Sequence, residues 1–98
     1  MDLEFIFSAE VWKYQGKAAW FFVTLPQDEA KSVRFFHERR VGFGTVRVNV
    51  IIGDTSWNTS LFPDKKSGSF LLPIKASVRS KHSIDAGRVV SVRMRVIA

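Results

Sequence analysis

Two stretches of this 98-residue chain repeat one another at a nearly constant spacing, and this internal repeat is the strongest constraint on its fold. The units lie at about residues 18–52 and 69–97, and each reads as strand, Leu-Pro, short helix, glycine stop and strand. The matching landmarks are Leu25-Pro26 and Leu72-Pro73, Val33-Arg34 and Val78-Arg79, His37 and His82, Gly42 and Gly87, and the runs Val46–Val50 and Val92–Val96. Residues that recur for architectural reasons need no catalytic explanation, and this applies to both histidines.

The alternation of apolar and polar residues predicts most of the strands. Between residues 45 and 52, Val46, Val48 and Val50 face one way and polar or basic side chains face the other. Further strands are predicted over residues 3–12, 18–25, 55–62, 69–72 and 90–96, and helices over residues 26–40 and 76–81. The strand at 18–25 is apolar on both faces, so we expect it to be covered on both sides. About six strands and two short helices favour a mainly β fold, a small closed six-stranded barrel with an internal pseudo-two-fold repeat, because closure removes exposed strand edges.

The composition is that of one ordered domain spanning residues 1–98. The chain is 46% hydrophobic with nine Phe and three Trp, which excludes a disordered segment. It has no cysteine, so disulfides and thiolate metal sites are excluded. The first residues lack the basic and apolar regions of a secretion signal, and no apolar run approaches the length of a membrane span. We therefore expect a cytoplasmic protein with no membrane partner.

The net charge of +6 is unevenly distributed. Residues 1–33 carry three Lys against five acidic residues, a balance of −2, whereas residues 34–98 carry twelve Lys or Arg against four, a balance of +8. Three arginines of the valine-rich runs, Arg47, Arg93 and Arg95, form an outward stripe and are the candidate nucleic-acid contacts. The alternative is an ordinary solvated face of a basic protein.

No motif for catalysis or metal binding stands out. A nucleophilic serine needs a histidine oriented by an acid, and the chain has two histidines at equivalent places and no G-x-S-x-G turn. Three or four converging metal ligands are not apparent. Asp54 and Asp64 flank a predicted strand and are more typical of turn and loop residues than of an acid–base pair. We therefore predict no catalytic residue, no metal site and no cofactor.

The segment from Gly53 to Asp64 has no counterpart in the repeat and is the best candidate for a ligand site. Hydroxyl and amide side chains surround one tryptophan, and basic residues follow soon after. Trp57 can serve as a stacking platform while the cations hold an anionic group. The candidate ligand-binding residues are Trp57, Asn58, Thr59, Ser60, Lys75, Arg79 and Arg40. The alternative is structural: Trp57 plugs one end of the barrel, and the Thr and Ser hydroxyls bond to strand or turn backbone.

Several strings in the chain resemble those of one known family. They lie at residues 19–26, 40–44, 57–64, 72–79 and 84–89, and the most specific is Trp57-Asn58-Thr59-Ser60-Leu61-Phe62-Pro63-Asp64. The chain resembles, over nearly its whole length, the bacterial DUF1905 family of unknown function. The resemblance implies a double-split β-barrel similar to the barrel of AbrB-type transcription regulators, with no established activity, cofactor or catalytic residue. Arg88 stands where the family often has an acid.

These observations lead to one expectation and two alternatives about function. We expect a non-enzymatic binding or interaction module of uncharacterised bacterial function, a monomer or homodimer that takes an anionic ligand. Nonspecific nucleic-acid binding through the basic second half is the first alternative, and the analogy with DNA-binding regulators adds little to it because one fold hosts many functions. The second alternative is a small enzyme, which requires an organised pocket with a perturbed titratable group.

Overall fold

The computed structural model describes residues 3–40 and 44–97, and for residues 38–40 it describes the backbone alone. The strands are β1 (Leu3–Glu10), β2 (Trp12–Lys13), β3 (Phe21–Thr24), β4 (Val46–Ile52), β5 (Thr55–Asp64), β6 (Ser69–Pro73) and β7 (Val89–Val96). The helices are α1 (Gln27–Arg40) and α2 (Ala76–His82). The mainly β class with two helices is thus confirmed. The predicted helix stop at Gly42 lies outside the described residues.

All described strands form one antiparallel sheet in the order β1-β7-β4-β5-β6-β3-β2. The first and last strands of this order are consecutive in the chain and are separated by Val11 alone. Val11 donates its N–H to the Arg88 carbonyl (2.8 Å) and accepts a hydrogen bond from the Gly87 N–H (2.7 Å). At these two bonds the N-terminal segment stops pairing with β7, and it then pairs with β3. The single strand predicted over residues 3–12 is therefore divided into β1 and β2. The described sheet is therefore a curled sheet of seven strands, not a six-stranded closed barrel.

Strand β5 also changes partners along its length. From Thr55 to Leu61 it pairs with β4, and from Phe62 to Asp64 it pairs with β6. The same pattern holds in the first half, where β1 pairs with β7 and β2 pairs with β3. In the fold, β5 is therefore the counterpart of β1 and β2 together. The segment from Gly53 to Asp64 therefore has no counterpart in sequence, as expected. Its position in the sheet does have one, and in this respect the expectation is wrong.

Two element ends differ from the sequence-based expectation. β3 begins at Phe21, because Trp20 closes the preceding loop by donating to the Ala18 carbonyl (3.0 Å) and accepting from the Tyr14 N–H (2.8 Å). Trp20 is therefore 46% exposed, although the apolar run predicted coverage on both faces. Helix α2 ends at His82 and is capped by Ser83 rather than by a glycine, since Ser83 takes the left-handed conformation (φ 54°).

The hydrophobic core is built from the inward positions of the strands and from one face of each helix. Alternate residues of β4 and β7 are buried, as the two valine-rich runs predict. The largest side chains with less than 2% exposure include Leu25, Leu61, Leu72 and Met94, which come from both halves of the chain. The two halves therefore share a single core, which places β5 and α2 close enough to form a common site.

Candidate functional site

A cavity of about 520 Å³ lies where β5 separates from β6. Its walls are residues 57–60 of β5 on one side, residues 73–76 and Arg79 on the other, and residues 19–21, Arg47 and Phe62. Six of the seven predicted ligand residues line it: Trp57, Asn58, Thr59, Ser60, Lys75 and Arg79. The side chain of the seventh, Arg40, lies outside the described part of the chain. That these six residues bind a ligand stays a prediction.

The edge of β5 that faces the cavity forms a ladder with β6 only from Phe62 to Asp64 among the described residues. Ile97 donates its N–H to the Arg47 carbonyl (2.9 Å), so the backbone groups of Arg47 point toward β7 and away from β5. Arg47 is the cross-strand neighbour of Ser60, and in an antiparallel ladder the backbone groups of such a pair point outward on both strands. The N–H and C=O of Ser60, and by alternation those of Asn58, therefore point to the edge where the described residues form no ladder.

The side chains of β5 alternate between the two faces of the sheet. Trp57 is partly buried and packs against the hydrophobic core. On the outer face, Arg47 Nη1 donates to Ser60 Oγ (3.3 Å), and Asn49 Nδ2 donates to Asn58 Oδ1 (2.9 Å). Side chains from both faces of β5 border the cavity at the strand edge, which explains why the four consecutive residues 57–60 line it.

The guanidinium of Arg79 is held by two contacts. Its Nε donates to the Ile74 carbonyl (3.2 Å), and its central carbon lies 3.9 Å from the centroid of the Phe21 ring. Because an arginine has five N–H donors in a fixed plane, donors of Arg79 are left over for a ligand. Stacking on Phe21 also lowers the conformational entropy that Arg79 loses when it binds an anion.

The cavity has a positive wall. Arg47, Lys75 and Arg79 line it, and none of its described lining residues is acidic. None of these three cations forms a salt bridge within the part of the chain that the structure describes. The walls are formed partly by aromatic rings, which lower the local dielectric and strengthen the attraction of an anion.

Asp54 lies in the turn between β4 and β5, as expected, whereas Asp64, expected in a loop, is the last residue of β5 and pairs with Ser69. Asp54 pairs with Lys81 (3.2 Å), and the hydrogen bond and charge of Lys81 lower the pKa of the Asp54 carboxyl below its ordinary 3.8. Asp64 accepts hydrogen bonds from Ser67 Oγ (2.6 Å) and Ser67 N–H (3.1 Å), and the first of these contributes most to lowering the pKa of Asp64. Both carboxyl groups are therefore stabilised in their ionised form, Asp54 by Lys81 of α2 and Asp64 by Ser67 of the following turn.

The two histidines have different surroundings despite their equivalent places. His37 is 6% exposed, and its Nε2 has no hydrogen-bond partner among the described residues. His82 is partly exposed, and its Nε2 lies 2.8 Å from Thr55 Oγ1 and 3.5 Å from Asp54 Oδ1. Neither histidine lines the cavity. Within the described residues, no group of three or more potential metal ligands is present.

The candidate nucleic-acid residues lie in two places. Arg47 belongs to the cavity wall, whereas Arg93 and Arg95 are exposed on the outer face of β7. Arg95 stands directly opposite Glu4 of β1 in the strand register. Residues directly opposite one another share a face, so the Glu4 carboxylate reduces the positive potential of this face.

The sequence did not indicate the two exposed aromatic residues at the cavity. Trp20 and Phe62 line the cavity and are 46% and 38% exposed. The one feature of the sequence that could have indicated them is its number of aromatic residues, which exceeds what one small core can bury. This number does not show which rings remain exposed, since that depends on where β3 begins and where β5 changes partners.

The fold and the site define a small, mainly β domain whose curled sheet opens beside β5 on a cationic cavity. The chain belongs to the family Domain of unknown function (DUF1905), and the match spans residues 7–94. The resemblance seen in the sequence is thus confirmed, and it brings an uncharacterised function with it. No curated protein matches this chain. Among the described helices, none is long and apolar enough to cross a membrane.

Proposed function

We propose that this protein is a non-enzymatic binding module whose cavity takes a small anionic ligand through a phosphate or carboxylate group. The observation that carries the proposal is the positive wall of Arg47, Lys75 and Arg79, which no acidic residue among the described lining neutralises. The backbone N–H groups of Asn58 and Ser60 on the open edge of β5 add donors that bind anions well.

The repeat provides an internal comparison that separates architecture from function. Arg34 is the counterpart of Arg79: it donates to the Gly68 carbonyl and lies 5.7 Å from the centroid of the Phe70 ring. A stacked arginine is therefore part of the architecture. Lys75, in contrast, corresponds to Asp28, since each stands two residues after its Leu-Pro pair. The repeat does not require a cation at position 75, which supports a role for Lys75 in the cavity.

The proposal predicts a graded loss of anion affinity. Hydrogen bonds to charged groups contribute about 1.5–3 kcal/mol, so Arg79→Gln should weaken phosphate binding about 10- to 150-fold. Lys75 is exposed, and solvent screening reduces its contribution to about 0.2–1 kcal/mol, so Lys75→Gln should weaken binding up to about 5-fold. The measurement is an NMR titration with inorganic phosphate at low ionic strength.

Arg93→Gln is the matched control, because it removes the same charge from an exposed site on β7. Its phosphate affinity should stay within about 2-fold of the unmodified protein, since only long-range electrostatics change. Equal weakening by Arg79→Gln and Arg93→Gln would show that only net charge matters, and the cavity would lose its role. Lys75→Gln keeps the test valid if Arg79→Gln loses stability.

Nucleic-acid binding is the second candidate, and the observation in its favour is the exposed pair Arg93 and Arg95 on one face of β7. It requires retardation of duplex or single-stranded DNA that weakens steeply with salt. The retardation must also decrease in Arg93→Gln and persist in Lys75→Gln. Absence of any retardation at low salt would exclude this candidate.

A further inference from the structure

An exposed cluster of aromatic rings adjoins the cavity. This aromatic patch consists of Tyr14, Trp20, Phe22 and Phe62, which surround a shallow apolar depression of about 260 Å³. Tyr14, Trp20 and Phe62 are 50%, 46% and 38% exposed, whereas Phe22 is buried. Trp20 stacks on Phe22 with ring centroids 5.7 Å apart and planes at 10°, and Tyr14 meets Phe22 edge-on at 6.3 Å. The patch is thus an ordered surface of rings.

The aromatic patch and the cationic cavity are continuous. Trp20 and Phe62 border both of them. One ligand can therefore contact the patch with one part and the cations with another. Contiguous exposed aromatic surface is unusual on a small domain and marks a contact site. The described residues that line the patch carry no charge, whereas Arg47, Lys75 and Arg79 line the adjoining cavity, so an occupant of both combines a charged end with an apolar body.

We infer that the ligand carries a planar aromatic ring joined to a phosphate, the chemistry of a mononucleotide. The inference rests on the proposed anion site, and it assigns the ring to the aromatic patch and the phosphate to Lys75 and Arg79. The patch is a shallow apolar depression lined by four aromatic rings, a surface that suits stacking of a flat ring. The cavity volume of about 520 Å³ lies within the range of pockets for small ligands.

The test compares AMP, adenosine and inorganic phosphate as probes of the same protein. AMP should bind at least about 10-fold more tightly than phosphate, because stacking adds to the anion contacts. Trp20→Ala should weaken AMP binding about 5- to 150-fold and leave phosphate affinity within about 2-fold. Phe62→Ala is the second variant. Because Trp20 stacks on Phe22, Trp20→Ala should lower the melting temperature, and both variants are titrated well below their melting transitions. Phe35→Ala, which alters an exposed aromatic residue lining neither cavity nor patch, is the control.

The outcomes separate this inference from the proposed function. Phosphate binding that depends on Lys75, with AMP no tighter and Trp20→Ala without effect, would overturn the inference and leave the anion site standing. If neither AMP nor inorganic phosphate binds, both the inference and the proposed function are overturned. Tighter, Trp20-dependent binding of a single-stranded oligonucleotide would support the ring-and-phosphate chemistry and identify nucleic acid as its source. A dimer that Trp20→Ala dissociates, without AMP binding, would assign the patch to a second copy of the chain.

Discussion

Replacing Gly53 with alanine tests how the turn between β4 and β5 is held against the end of α2. Gly53 has φ +60°, and a Cβ at this position would lie 2.8 Å from His82 Cε1 and 3.2 Å from His82 Nδ1. The His82 ring must shift, because real Cβ atoms essentially never approach another atom so closely. We expect this shift to break its hydrogen bond with Thr55 Oγ1 (2.8 Å). This bond connects the first residue of β5 to the last residue of α2, the two elements that border the cavity.

The expected loss of stability has two parts. A left-handed conformation costs an alanine about 1–2 kcal/mol relative to glycine. Loss of the Thr55–His82 hydrogen bond adds about 0.5–1.5 kcal/mol. Gly53→Ala should therefore lower the free energy of unfolding by about 1.5–3.5 kcal/mol. Gly68→Ala is the matched control, since Gly68 also has positive φ (+73°) and no atom lies within 4 Å of the added Cβ, so only the first part applies.

The assay is urea unfolding at 25 °C of Gly53→Ala and Gly68→Ala, and of Gly53→Ala combined with His82→Ala. The difference between the two glycine variants should be about 1 kcal/mol. In the His82→Ala background, Gly53→Ala should cost only as much as Gly68→Ala. Equal costs for both glycine variants in the unmodified protein, or an unchanged cost without His82, would refute the contact between this turn and α2.

Two further predictions concern β5. Trp57→Ala should lower the free energy of unfolding by about 2 kcal/mol, since Trp57 is only partly buried and replacing a fully buried aromatic residue by alanine costs about 3–5 kcal/mol. Phosphate titration should show weaker binding to this variant as well. A loss of stability with unchanged phosphate affinity would show that Trp57 only plugs the end of the barrel. Asp64→Asn should destabilise the protein at neutral pH, because the folded-state pKa of Asp64 is lowered and its contribution exists only where the carboxyl is ionised. Urea unfolding should show a constant difference in stability between Asp64→Asn and the unmodified protein above about pH 5, and this difference should disappear as the pH falls below about 4. A difference that persists at lower pH would contradict a stabilising role of the ionised Asp64 carboxyl.

The repeat carried most of the information about the fold. Helix α1, helix α2 and the two valine-rich strands follow from local periodicity, and the structure places all of them where the periodicity predicts. The break at Val11 could not be predicted in this way. It depends on hydrogen bonds with Gly87 and Arg88, more than seventy residues away in the chain, and alternation within a strand is unaffected by which strand lies beside it.

The candidate site was predicted in part because several of its residues are neighbours in the chain. Residues 57–60 form one wall, and their polarity was visible without a structure. Arg47 was assigned to the outer surface, and its side chain does lie on that face. Its place at the cavity follows from the point where β5 leaves β6, which local sequence does not encode. The same holds for Trp20, whose exposure follows from the late start of β3.

The central claim is that the cavity beside β5 holds an anionic group. The most direct test is a crystal structure of the protein grown with AMP. We expect the phosphate within hydrogen-bond distance of the side chains of Lys75 and Arg79 and of the Ser60 backbone N–H, with the base on Trp20. A phosphate bound instead to Arg93 and Arg95, with no ligand in the cavity, would contradict the claim.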